Sequence, residues 1–494
     1  MILSEDQINR YLRHIIMPEI SGPGQKKIVE SKVFIYSFAI NEASSLIYYL
    51  AASGVGHISC CFNDESGFEN LYNNVHDLNG DVTIELLGNK SIVAYTNSPD
   101  SVGSVIRILI CRFENLTNTL RNFSSSLNCD KFVPTIVAIN YGWECLLQTF
   151  KSQKDLDCLH IKTLDPNPPS HIENEEGAIL SSCLLGAFNA IECIKLCAGI
   201  GTIQDNPLYF DLLSMHFNQL NSKEFDLKIS DFTKRAYGEK QVSVDYKKDY
   251  DASKLSKGKV LIIGAGGLGS PNVYALASVG IGTIGLVDYD KVELSNLNRQ
   301  IVHSTSRIEM SKVKSAEIFI KGLNPNTKLI TYNTSLNINN ANDIIKDYDV
   351  IVDALDNFPD RYLLNDACFF ANKPLVDAAA VKTHGLIMTI LPNKGPCYRC
   401  AFPAHVKPSG AMTCSEAGVL GPVPGVMGFI QAAQVVKLLL KIGDTQQGRV
   451  IYYEALDSDF ETINIDKSSN CDLCGTHPTI TTLVEYKNSC EIKK

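Results

Sequence analysis

Four groups of residues have the types and spacing for chemistry. Gly264-Ala265-Gly266-Gly267-Leu268-Gly269 is a glycine turn of the kind that lets a backbone approach a phosphate. Downstream stand Ser295-Asn296-Leu297-Asn298-Arg299-Gln300, then Lys312, then the acidic strand end Val350-Ile351-Val352-Asp353-Ala354-Leu355-Asp356-Asn357. Two Cys-x-x-Cys pairs, Cys397/Cys400 and Cys471/Cys474, offer four thiolates, and Cys414 lies in Met412-Thr413-Cys414-Ser415-Glu416. The glycine turn alone suits a nicotinamide-dependent oxidoreductase as well as an ATP enzyme, and Asp288 stands where either needs a carboxylate on ribose hydroxyls. Hydride transfer has no use for an arginine, a lysine and an acidic strand end converging on a triphosphate. Adenylyl transfer needs all three, because the attacking carboxylate and the departing pyrophosphate are both anions. Cations and a metal-binding carboxylate must therefore flank the α-phosphorus.

These residues need a β-turn-α unit to position them. The apolar run Val260 to Ile263 enters the glycines and the amphipathic segment Val273 to Val279 leaves them as a helix, so a phosphate would sit on the helix's positive end. The same pattern occurs twice. Lys32-Val33-Phe34-Ile35 and Tyr49 to Ile58 mirror Lys259-Val260-Leu261-Ile262 and Leu276 to Ile284. Glu176-Gly177-Ala178 through Lys195-Leu196 mirrors Glu416-Ala417-Gly418 through Lys437-Leu438. A period this long means two domains of one fold rather than a solenoid. Apolar runs alternating with helical stretches predict two tandem Rossmann-like α/β domains, each a mostly parallel sheet with helices on both faces, paired as a pseudo-dimer. The boundaries expected are 1–225, a lysine- and aspartate-rich linker 226–257, 258–480, and a tail 481–494.

The first half has lost the chemistry. Ser37-Phe38-Ala39-Ile40-Asn41-Glu42 replaces the glycine turn, its side chains would block a phosphate, and Glu42 would repel one. Phe68-Glu69-Asn70-Leu71-Tyr72-Asn73-Asn74 replaces the cationic cluster and holds no arginine. This half should not bind ATP.

The 494 residues suffice for two or three domains, and 45% apolar content is ordinary for a globular protein. A net charge of -9 argues against nucleic acid or an anionic membrane as principal partner. No secretory signal opens the chain, and sixteen cysteines then read as thiols and metal ligands in a cytoplasmic protein rather than as disulfides. The most apolar window, Ala178 to Ile203, contains Glu192 and Lys195 and reads as a buried helix.

With these motifs, residues 255 to 475 resemble the ThiF/MoeB/HesA-like family of enzymes that adenylate the C-terminal glycine of ubiquitin-like proteins. The resemblance implies ATP, Mg2+ and Zn2+ as cofactors. Gly264, Gly266, Gly267 and Gly269 would cradle the phosphates, Asp288 would hold the ribose, Asn296, Arg299 and Lys312 the phosphates, and Asp356 the magnesium. Cys397, Cys400, Cys471 and Cys474 match the family's structural zinc site; a redox dithiol is the alternative. Residues 10 to 27 resemble the family's N-terminal segment, in which an arginine, here Arg13, reaches across the dimer into the partner's nucleotide site. The other reading puts Arg10 and Arg13 on a solvated helix face. Cys414 matches a position that in some relatives accepts the acyl group; the alternative is a loop cysteine without chemistry. A catalytic set of Arg13, Arg299, Lys312, Asp356 and Cys414 follows. The partners implied are a ubiquitin-like protein or peptide with a free C-terminal carboxylate and a conjugating or sulfur-transfer protein, with a homodimer possible. No long cysteine-bearing insertion is visible, which favours a compact activator over a thioester-relay enzyme. A peptide-modifying adenylyltransferase, an oxidoreductase and a non-catalytic scaffold are the rivals.

Overall fold

Each apolar run that the sequence alternates with a helical stretch becomes a strand of one of two eight-stranded sheets. The computed structural model describes residues 3–87, 104–125, 132–157, 175–236, 251–403 and 417–485. The first sheet contains β1 (Lys32–Ala39), β2 (His57–Asp64), β3 (Thr83–Leu86), β4 (Val105–Arg112), β5 (Thr135–Tyr141), β6 (Glu144–Phe150), β7 (Leu208–Asp211) and β8 (His216–Gln219). The second contains β9 (Lys259–Ile263), β10 (Thr283–Val287), β11 (Lys328–Tyr332), β12 (Val350–Asp353), β13 (Leu375–Val381), β14 (His384–Ile390), β15 (Arg449–Glu454) and β16 (Asp459–Asn464). Their orders are identical, β3-β2-β1-β4-β5-β6-β7-β8 and β11-β10-β9-β12-β13-β14-β15-β16. In each, the first five strands are parallel and the last three antiparallel. Strand order reverses at β1/β4 and at β9/β12. Open α/β sheets bind ligands in the crevice that such a reversal leaves at the strand ends.

Six helices matter for the site: α1 (Ile40–Ser53), α2 (Glu175–Ala198), α3 (Gly269–Ser278), α4 (Lys312–Leu323), α5 (Phe358–Phe370) and α6 (Pro422–Leu440). α2 and α6 are long and apolar enough to cross a membrane, and both are mostly buried inside the protein. They pack against each other between the sheets. One apolar core runs from Val33 and Ile35 of β1 through Tyr49, Leu184 and Phe188 to Val426, Phe429 and Ile262 of the second half. Separate outer cores, one on Phe34, Leu109 and Phe232 and the other on Leu261, Ile351 and Leu364, cover the far faces of the two sheets. The interface between the halves is thus interior. The segment expected as a linker begins inside a helix, Ser222–Ala236, whose Phe225 and Phe232 are buried in the first half's outer core. Residues 237–250 lie outside those described, and a short helix, Ser253–Lys257, precedes β9.

The duplication places two lysines in equivalent positions on α2 and α6, and each is fully buried and reaches into the other half. Lys195 Nζ donates to Glu192 Oε1 at 2.6 Å and to Ser458 Oγ at 3.2 Å in the β15–β16 turn. Lys437 Nζ donates to the carbonyls of Leu212 at 2.9 Å and Leu213 at 3.3 Å in the β7–β8 turn, and to that of Asp444. Gln434 stands on α6 where Glu192 stands on α2, so Lys437 is held by carbonyls alone. Burial lowers its pKa from 10.5 to about 7, partly opposed by Asp444 and Asp211 and reinforced by Arg449. A folded pKa below the unfolded one means that, between the two, the unfolded chain binds more protons and stability rises with pH. The melting-temperature difference of Lys437→Met over wild type should therefore shrink as pH is raised from about 7 toward about 10. A difference independent of pH would show that Lys437 titrates normally.

Candidate active site

β9 ends at the reversal point, and the chain turns there through Gly264 at φ +105°. Gly264 and Gly269 are glycines for packing: a Cβ on Gly264 would lie 2.5 Å from the Ala354 carbonyl oxygen, and one on Gly269 would lie 1.9 Å from that of Gly264. Gly266 differs. A Cβ there meets only Gln300 Nε2, at 3.6 Å, so the turn is open where a phosphate would approach. His303 supports the turn from beneath, its Nε2 against the Ala265 carbonyl and its Nδ1 against Ser315 Oγ, both at 2.9 Å. Burial lowers its pKa to about 3, so the ring is neutral; its Nε2–H donates and its Nδ1 accepts. Asp288, at the end of β10, accepts from Ala265 N at 2.7 Å and from Asp290 N at 2.8 Å, and burial raises its pKa.

The cationic cluster borders this turn. Asn296 caps its own turn, accepting from Glu293 N, and Arg299 Nη1 donates to Ser295 O and Asn298 Oδ1, each at 2.9 Å. Asn298 Nδ2 and Gln300 Oε1 are buried without a hydrogen-bond partner among the described residues, which fits a site awaiting a polar ligand. Lys312 opens α4, is nearly buried, and pairs with Asp290 Oδ2 at 2.8 Å. Asp356 follows β12 by three residues and is exposed. A hard cation prefers such a carboxylate oxygen, and nucleotide phosphates would complete its shell.

The first half reaches into this neighbourhood. Its N-terminal helix Glu5–Arg10 packs against the Leu294–Asn296 turn. The Arg13 carbonyl accepts from Val419 N at 3.1 Å, and His14 Nε2 accepts from Gly421 N at 2.8 Å, at the entrance to α6. His14 Nδ1 faces Gln25 Oε1 at 2.9 Å, which sets the tautomer. Burial, with help from the Arg299 charge, lowers the ring's pKa to about 4. Arg13 is half-buried at this junction. Arg10 is buried, donating to Leu78 O at 2.7 Å and to Thr305 Oγ1 of the second half at 3.0 Å. A solvated helix face for Arg10 is thereby excluded, because its guanidinium bridges the halves.

The equivalent crevice of the first half is filled by its own side chain. β1 runs without a loop into α1, and Glu42 turns inward to accept from Arg112 N and Asn115 Nδ2. Burial raises the carboxyl to about 7. Glu42, expected to repel a phosphate, is turned inward and takes these hydrogen bonds in the place a phosphate would need.

At the far edge of the second half, Cys397, Cys400, Cys471 and Cys474 place their Sγ atoms within 4.8 Å of one another. The separations of 4.0 Å for 397–400, 3.6 Å for 397–471 and 3.4 Å for 400–474 are too long for disulfides. They suit a tetrahedron, since Zn–S bonds of about 2.3 Å imply S···S edges near 3.8 Å. A redox dithiol has no need of the second pair. Cys414 lies outside the described residues.

The ThiF family model matches residues 239–474. The second half is a ThiF-family domain. The chain is 44% identical over 271 residues to "Adenylyltransferase and sulfurtransferase MOCS3" of Dictyostelium discoideum, covering 54% of this chain and 63% of that protein. It is also 44% identical over 238 residues to the protein of the same name from Drosophila sechellia, covering 48% and 52%. The chain thus spans between half and two thirds of the length of these relatives. A crystal structure of E. coli MccB with MccA-N7isoASN is similar at 26% identity and TM-score 0.40, over 45% of this chain and 69% of that one.

Within the ThiF-family domain, the structure gathers Gly266, Asp288, Arg299 and Lys312 around one crevice mouth, with Asp356 on the adjoining strand end. Sequence reasoning missed His303, Gln300, Asn298 and His14. The first three lie in or just after the motif already quoted; His14 carried no local signal, because its partner Gly421 is 407 residues away. Gly266→Val should keep the wild-type melting temperature and lose ATP binding by calorimetry, whereas Gly269→Val should fold poorly, having no room for its side chain. Undiminished ATP affinity in the Gly266 variant would remove the nucleotide assignment. For the thiol cluster, elemental analysis should find one zinc per chain, and Cys474→Ser should lower both zinc content and melting temperature. Metal-free protein of unchanged stability would refute the zinc site.

Proposed function

We propose that the chain is an ATP-dependent adenylyltransferase that activates the C-terminal carboxylate of a ubiquitin-like protein or short peptide. The observation that carries this reading is the open glycine turn bordered by Arg299 and Lys312 in a ThiF-family domain with adenylyltransferase relatives. One carboxylate oxygen attacks the α-phosphorus of ATP, the bond from that phosphorus to the bridging oxygen breaks, and pyrophosphate leaves with both electrons. The product is an acyl-adenylate. Arg299 and Lys312 would neutralise charge that grows on the phosphates, which requires Lys312 to leave Asp290 when nucleotide binds. Magnesium, held by Asp356, would supply Lewis-acid stabilisation of the triphosphate. Asp288 would release its backbone donors, or share them, to hold the ribose hydroxyls.

The plugged Glu42 crevice supports one nucleotide site per chain, with the first half contributing from outside. Arg13 would act as a cation supplied across the interface, its backbone anchored to Val419. The sulfurtransferase in the relatives' name supports a sulfur-transfer protein as final acceptor, and the thiol-rich composition supports a reducing, cytoplasmic setting. Cys414 would take the acyl group only if the adenylate itself is not the donor.

Pyrophosphate exchange with labelled ATP and candidate C-terminal peptides tests the reading; exchange absent with every ubiquitin-like or peptide carboxylate would overturn it. Arg13→Ala should slow exchange on the order of 10²-fold with a smaller change in ATP affinity. Arg13→Lys should recover only part of the rate, because an ammonium lacks the planar fork. Cys414→Ala should leave exchange intact and abolish any thiol-releasable acyl-enzyme.

A further inference from the structure

Beneath the Asp356 loop lies a buried charge cluster to which the adenylation reading gives no task. Asp353, the last residue of β12, is the direct cross-strand neighbour of Asp377 on β13, and both side chains are buried. Like charges paired this way repel, and removing either from water is costly. Arg361, on the second turn of α5 and itself buried, is the cation between them, with Nη1 2.6 Å from Asp377 Oδ1 and 4.0 Å from Asp353 Oδ1. Its other nitrogen, Nη2, donates to the carbonyls of Leu355 and, at 2.7 Å, of Ala378. Leu355 N donates in turn to Asp353 Oδ1 at 2.9 Å. The residue before Asp356 is therefore held at both its N–H and its C=O. The residue after it, Asn357, is held as the cap of α5, its side chain accepting from Asp360 N at 3.0 Å. Gln431 of α6 fixes the strand ends themselves, donating to Asp353 O at 2.7 Å and Val376 O at 3.0 Å. Asp356 is thus flanked on both sides by residues held in hydrogen bonds.

Burial pushes both aspartates up and Arg361 opposes this, while the Asp377 charge adds to the rise at Asp353 alone. One guanidinium facing two carboxylates is a poor device for stability, where an apolar cluster would serve as well. It is a good device for geometry, because a planar fork fixes several acceptors at once.

We propose that Arg361, oriented by Asp377, is the positioning residue that sets the Asp356 carboxylate for the metal of a metal–ATP complex; this rests on the adenylation reading. Arg361 touches no substrate and acts through the Leu355 carbonyl. Asp377 holds the fork so that its second edge reaches that carbonyl.

The test measures Mn2+ binding to the full-length protein with ATP by electron paramagnetic resonance, alongside calorimetric ATP binding in EDTA. Arg361→Lys keeps the charge and loses the fork; Asp377→Asn keeps the shape and loses the charge, and decides the matter should the first variant fold poorly. Each should weaken Mn2+ binding by at least about 10-fold, as loss of a group that orients a metal ligand does, while metal-free ATP binding stays at the wild-type value. In an Asp356→Ala background neither should weaken it further. Wild-type Mn2+ affinity in the variants, an equal loss in EDTA, or an undiminished loss in the Asp356→Ala background would overturn the proposal. Wild-type protein that binds no ATP would instead refute the adenylation reading itself.

Discussion

α2 and α6 bury their apolar side chains against each other and against both sheets, so the two halves share one core. Exposing that layer would uncover Leu184, Phe188, Val426 and Phe429 together, side chains worth about 1.5–3 kcal/mol each when buried. The halves therefore cannot be separated without exposing that core. Everything at the candidate site that depends on residues from both halves depends on this layer: the Glu5–Arg10 helix against Leu294–Asn296, the Arg10 bridge to Thr305, and the His14 bond to Gly421.

The duplication preserved packing and let chemistry diverge. Both sheets have the same strand order, and both long helices send a lysine into the opposite half. The differences lie where packing does not decide. Glu192 compensates Lys195 while Gln434 leaves Lys437 to carbonyls, and a glycine turn in one half is a continuous strand and helix in the other. Glu42 shows how an abandoned ligand site becomes interior: its carboxyl takes hydrogen bonds from β4 and the turn after it and gives up much of its charge.

The ThiF-family domain buries polar groups behind its crevice as well as in it. His303 stiffens the glycine turn, Gln431 ties β12 to β13, and Arg361 with its two aspartates clamps the loop below Asp356. Preorganisation of this kind lowers the cost of ordering a site at the moment of reaction. It explains why so many charged and polar residues of this domain are interior although they touch no ligand.

By itself the sequence determined the fold class, the internal repeat, the loss of the first half's glycine turn, the nucleotide motif and the four-thiol set. Each is written in local spacing or in a self-alignment, and local spacing follows directly from the periods of strand and helix. Only the tertiary structure decided that Arg10 is a buried bridge, that Glu42 faces inward, and that Gly269 is fixed by packing while Gly266 is open. The same holds for His14 beside Gly421, Lys437 beneath Leu212, and Asp353 beside Asp377. Apart from Gly269 against Gly264, these are contacts between residues tens to hundreds of positions apart, and side-chain direction and burial there are set by how whole sheets and helices pack. No local window of the sequence contains the long-range part of that information.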